Sequence, residues 1–247
     1  MTGAATHSVR DGHSACGPGG RSSVASSPAV STRVYVETGV RTVFACALDW
    51  PGWCRHDRSE DAAIERLAAY APRYRRVAAR AGMQPGEVAT ARLTVVERLA
   101  GSTTTDFGAP DAVAAADLAP LDAAATERMV SLLQAAWAEL DAVVAAAPLA
   151  LRLGPRGGGR DRDAMVSHVT DAERSYARKV GVRLTAAEWK SGGVVLMRER
   201  LRVVLRRPWP GGDPGERAWP PAYLVRRTAW HALDHAWEIE DRTEPAP

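Results

Sequence analysis

The chain has 247 residues, 46% of them hydrophobic and 25% charged, with a formal net charge of +3. That composition is ordinary for a soluble globular protein, with room for one large domain or two modest ones whose core needs no staples. The 32 basic residues are nearly balanced by 29 acidic ones and are scattered along the chain, so the focused basic face of a nucleic-acid binder is not visible. No apolar run reaches the roughly 18 uncharged residues of a membrane span, and the first 20 residues lack the apolar stretch of a secretory signal. A cytoplasmic protein without a membrane partner is expected.

Residues 1–32 are rich in Gly, Ser, Ala and Pro without a hydrophobic period, which predicts a disordered leader. Order begins at "RVYVETGVRTVFACALDWPGW". Residues 34–36 and 42–48 read as two β-prone runs joined by a turn at Thr38-Gly39, and Pro51-Gly52 ends the second. "DRSEDAAIERLAAYAPRYRRVAARAG" reads as a helix capped by Asp57 or Ser59, with Glu60 and Asp61 at its positive end. Pro72 should kink or divide it, and Gly82 should close it. "TARLTVVERLAG" offers a further strand in which Leu93 and Val95 alternate against Thr94 and Val96. The order β-β-α-β predicts a small α+β domain over residues 33–110, with "STTTDFGAPDA" as the linker leaving it. Cys16, Cys46 and Cys54 show no CxxC spacing, so neither a disulfide framework nor a cysteine metal site is expected; Cys46 and Cys54 read as packing residues or free thiols.

Over residues 111–247 strand signals almost vanish. "ATERMVSLLQAAWAELDAVVAAAP" carries an apolar stripe through Met129, Leu132, Leu133, Ala136, Leu140, Val143 and Val144. "RDAMVSHVTDAERSYARKVG", "SGGVVLMRERLRVVLRRPWPGG" and "PPAYLVRRTAWHALDHAWEIEDR" read as three more helices, the last entered through proline. Four helices with short to moderate connections predict an all-α, up-down four-helix bundle.

The last helix carries the chemistry. With His231 at zero on a wheel of 100° per residue, His235 falls near 40° and Glu238 near −20°, while Trp230, Leu233 and Trp237 gather on a separate face. Histidines at i and i+4 stand side by side, with Cβ atoms about 5–6 Å apart, and can offer two imidazoles to one ion. A third ligand is usual. His168, early in the second bundle helix, can supply it if that helix packs beside the last. Against this, the pair could as well cap a helix, pair with Asp234 or Glu238, or face water. Spacing alone does not choose between these.

The segments "SHVTDAERSYARKVG" and "AWHALDHAWEIEDR" resemble the DinB-like superfamily of four-helix bundles, over roughly residues 111–243. The resemblance implies that His168, His231 and His235 together bind a divalent metal. It also implies a reaction of the thiol-dependent transferase or isomerase kind, with the metal acting on a low-molecular-weight thiol or another small molecule. Three imidazoles suit zinc, nickel or iron alike. Asp234 or Glu238 could orient a ligand histidine from behind, or be solvated helix charges. Arg226 and Arg227 could hold an anionic substrate, though arginine is frequent throughout the chain. A shorter stretch, "RTVFACALDWPGWCRHDRSEDAAIERLAAY", is similar to the HicB-type pattern of strand, Pro-Gly turn and acidic helix start. That resemblance implies a β-β-α-β unit whose members often oligomerise and bind a partner, which leaves a homodimer open. The alternative to an enzyme is then a non-catalytic ligand- or partner-binding protein, a HicB-like sensor or oligomerisation unit fused to a metal-binding bundle.

Overall fold

The computed structural model describes residues 1–4, 31–84, 87–88, 92–154 and 158–243. Most of the expected leader, residues 5–30, lies outside them. Strands β1 (Thr32–Thr38), β2 (Val43–Ala47), β3 (Cys54–Asp57) and β4 (Leu93–Ala100) form one mixed sheet in the order β3-β2-β1-β4. The expected hairpin is present: β1 and β2 pair antiparallel, closed by Gly39 N–H donating to the Thr42 carbonyl at 2.9 Å.

The predicted β-β-α-β order needs one correction, because a third strand precedes the helix. Pro51-Gly52 makes the expected turn after β2, but it reverses the chain into β3, antiparallel to β2. Gly52 has φ 92°, and a Cβ there would lie 2.7 Å from Leu233 of the last helix. Only glycine permits both the turn and its close approach to that helix. The run "CRHD" has no alternation of its own, so only its pairing with β2 reveals it as a strand. That pairing also corrects the reading of the cysteines: Cys46 and Cys54 stand directly opposite each other across β2 and β3 and are joined as a disulfide.

From β3 the chain crosses to β4 through α1 (Glu60–Ala69) and α2 (Ala71–Arg80). Ser59 caps α1 by accepting from Ala62 N–H, with Glu60 and Asp61 in the first turn. The helix divides at Tyr70, with Pro72 in the first turn of α2, where a missing N–H costs least. β4 runs parallel to β1 and alternates half-buried with exposed residues, as its sequence predicts. The expected linker is not loose. It contains α3 (Thr103–Asp106), whose Asp106 accepts from the backbone N–H groups of Val40, Arg41 and Thr42. Buried Glu37 accepts from the Thr105 hydroxyl at 2.5 Å and from Asp111 and Ala112 N–H. A 3-10 turn, Ala115–Leu118, follows.

The helical part consists of α4 (Ala123–Ala146), α5 (Arg162–Ala177), α6 (Ala186–Leu205) and α7 (Pro221–Thr243). α4 touches α6 and α7, and α5 touches α6 and α7. α6 starts on a capping box of Thr185 and Glu188 and bends at Gly193 (φ 47°, ψ −132°), within the "SGG" that the sequence marks as its start. Among the described helices, α4 alone is long and apolar enough to cross a membrane by length and composition, and 44% of that window is buried within the fold. Its Leu132, Leu133 and Leu140 share a single core with Val34, Trp53 and Leu67 of the sheet unit and with Leu233 and Trp237 of α7. Trp53 stacks on Tyr74 at 5.6 Å, and the Tyr74 hydroxyl donates to the Pro51 carbonyl. The sheet is thereby fixed against α7, the helix carrying both late histidines.

Candidate metal centre

α5 and α7 lie in contact, and His168 of α5 reaches the two histidines that α7 presents one turn apart. Nε2 of His168 lies 3.3 Å from Nε2 of His231. The three ring centroids are separated by 5.0, 5.1 and 4.7 Å. One ligand atom from each residue falls within 4.8 Å of the other two. All three residues singled out in the sequence are thus brought together.

Their surroundings are unequal. His231 is 5% exposed and flanked by the rings of Trp230 and Tyr176. Burial pushes its pKa down to about 2, helped by His235, His168, Arg227 and Arg160. Burial also lowers His168, helped by Arg160 and His235. Both imidazoles are therefore neutral at physiological pH, the state in which a nitrogen lone pair can ligate. His235 Nδ1 lies 3.1 Å from a Glu238 carboxylate oxygen. The Glu238 pKa is lowered, first by His235, so the carboxylate accepts. His235 then donates from Nδ1 and leaves Nε2 free. Arg242 donates to the other oxygen of Glu238 at 3.2 Å. Glu238 thus stands behind a candidate ligand in the position an orienting carboxylate takes.

Asp234 does not reach the histidines. It pairs with Arg55 of β3 at 3.0 Å. Arg226 and Arg227 are buried structural groups, Arg226 on Asp117 and Arg227 on the Pro110 carbonyl. Sequence reasoning missed Tyr176, whose ring lies 6.1 Å from that of His231, and Arg160, whose charge acts on two of the histidines. Tyr176 follows His168 by eight residues, about two turns of the same helix, which is the signal that could have found it.

The donor set fits a divalent cation in two respects. Bonds of roughly 2.0–2.1 Å in tetrahedral geometry place two zinc-bound nitrogens about 3.3–3.4 Å apart, and the His168–His231 spacing matches. In addition, two neutral imidazoles and one held by a carboxylate each bring a ligand atom within 4.8 Å of the others. One feature opposes it: Nδ1 of His231 is buried with no hydrogen-bond partner among the described residues, and a buried unpaired donor costs about 1–3 kcal/mol.

The lowered histidines predict how metal-free protein responds to acid. The unfolded chain takes a proton on His231 as pH falls through about 6.5, whereas the folded chain does not. Stability is therefore lost on going from pH 7.5 to 5, by about 2 kcal/mol for this one group. Urea denaturation of chelator-treated protein at the two pH values measures it, and His231→Gln should flatten the slope. Identical midpoints in wild type at both pH values rule out a buried neutral His231. Comparison with family models, with curated proteins and with solved structures finds no match for this chain.

Proposed function

We propose that this protein is a DinB-like, up-down four-helix bundle that binds one divalent metal ion through His168, His231 and His235, fused to a HicB-like α+β unit, and that the bound metal serves a reaction of a small-molecule thiol. The observation that carries the reading is the convergence of three imidazoles from two helices, with all ligand atoms within 4.8 Å. Zinc, nickel and iron all accept such a donor set. When bound, a divalent cation lowers the pKa of a thiol or water at its remaining position.

The chain's own residues prepare that position. Glu238 fixes the tautomer of His235, so its Nε2 carries the lone pair. Burial keeps His231 and His168 unprotonated. The rings of Trp230 and Tyr176 cover the flank of His231, and a drier site strengthens any interaction with developing charge.

Cobalt(II) in place of the native ion tests the reading. Titrating the cobalt-loaded full chain with 2-mercaptoethanol should produce a sulfur-to-cobalt charge-transfer band, and His235→Ala should show none. A metal that binds but gives no such band removes the thiol step and leaves the binding-protein alternative. Absence of stoichiometric metal in wild type removes both.

A further inference from the structure

A cleft of about 1000 Å³ opens where β3 and α1 meet the flank of α7 and the segment following α4. Three arginines on its wall are already committed. Arg66 pairs with Asp57, Arg152 donates to the Asp241 carbonyl, and Arg242 donates to the carbonyls of Arg152 and Arg160. Arg55 is different. Its side chain is only 10% exposed, and its guanidinium lies 4.2 Å over the Tyr70 ring and 5.4 Å from that of Trp237. Among the described residues its carboxylate partner is Asp234, met at 3.0 Å through Nη1, and Nε and Nη1 are both shut off from solvent without a well-formed hydrogen bond. A guanidinium is a planar fork suited to bonds with a carboxylate, and here Nη2 is the nitrogen that is not closed off from the cleft. The rest of the wall is mixed: Tyr70, Trp237 and Leu153, the last 68% exposed at the rim, stand beside His56 and the carboxylates of Asp234, Glu238 and Asp241, which are paired with Arg55, Arg242 and Arg73.

We propose that this cleft binds an organic anion, its carboxylate held by Arg55 and its flat apolar body set against Tyr70 and Leu153. The proposal does not depend on a metal. The three histidines are absent from the cleft wall; the two sites share Glu238, which lines the cleft while hydrogen-bonding His235, and Arg242, which donates to Glu238. It also gives β3 a function, since Arg55 arrives on that strand and Asp234 on α7.

Isothermal titration of the full chain with benzoate, and with uncharged benzamide as its shape match, tests this. Benzoate should bind in the millimolar range or tighter, with benzamide at least about tenfold weaker because the charged bond is lost. Arg55→Leu should weaken benzoate by about tenfold or more. Asp234→Asn should tighten it, because the internal carboxylate competing for Arg55 becomes neutral. Chelator-treated protein should bind as well as untreated protein, which keeps the result separate from the fate of the metal reading. If Arg55→Leu does not fold, Arg55→Lys keeps the charge without the fork and should also weaken binding. No benzoate binding, equal binding of benzamide, or weaker binding in Asp234→Asn overturns the proposal.

Discussion

His231→Ala is expected to empty the metal centre. Wild-type protein, untagged and purified without chelator or a nickel column, should carry close to one equivalent of a divalent metal by elemental analysis, and the variant almost none. His231 lies 5.0 Å from the His168 ring and 4.7 Å from that of His235, it is the most buried of the three, and its Nε2 approaches Nε2 of His168 to 3.3 Å. Its loss leaves one imidazole on each helix. Two ligands seldom retain an ion against water, since a zinc centre usually takes three protein ligands or four. The scale is set by a smaller change: removing the group behind a ligand typically weakens metal binding 10–100-fold. Glu238→Gln should fall in that range, and His231→Ala should exceed its upper end. His56, a histidine of β3 outside the cluster, supplies the control, and His56→Ala should leave metal content unchanged. An equal metal content in wild type and His231→Ala would end the metal reading.

The helical half was legible because its signals are local. The apolar stripe of α4, the proline at the entry of α7 and the i, i+4 spacing of His231 and His235 are each set within one element. The convergence of His168 on that pair was legible only as a conditional, because it depends on α5 packing against α7, which no single segment encodes. The sheet half was less legible for the same reason. β3 is four residues long and has no periodicity, and it becomes a strand only because β2 offers it a partner. Missing it hid the opposition of Cys46 and Cys54. It also concealed that Arg55 is delivered to Asp234, so an acid read as standing behind a histidine instead turns to another element. Glu238 and Asp234 differ by one turn on the same helix, and only the neighbour on each side separates their roles.

The 3-10 turn that follows the linker supplies the largest expected loss of stability. Asp117, in the 3-10 turn between sheet and helices, is 1% exposed and faces Arg226 of α7, itself 7% exposed. Arg226 Nε donates to one carboxylate oxygen at 2.8 Å, while its Nη2 and Ala114 N–H donate to the other. The guanidinium also lies 4.6 Å over the Tyr35 ring of β1, so one ion pair joins turn, strand and helix. Among the described residues Asp117→Ala removes the only carboxylate partner of a cation that is 7% exposed, and breaking a buried pair in this way costs about 3–5 kcal/mol. Exposed pairs such as Arg33–Asp49 contribute at most about 1 kcal/mol, so Asp49→Ala should be nearly silent. At about 2–4 °C per kcal/mol for a chain of this size, Asp117→Ala should lower Tm by roughly 10 °C or more. The double variant Asp117→Leu, Arg226→Met should recover much of that loss, because the cost lies in the stranded charge more than in the missing attraction. A drop in unfolding free energy below about 1 kcal/mol for Asp117→Ala, measured by urea denaturation at neutral pH, would show that water reaches Arg226 and that the turn is not anchored through it.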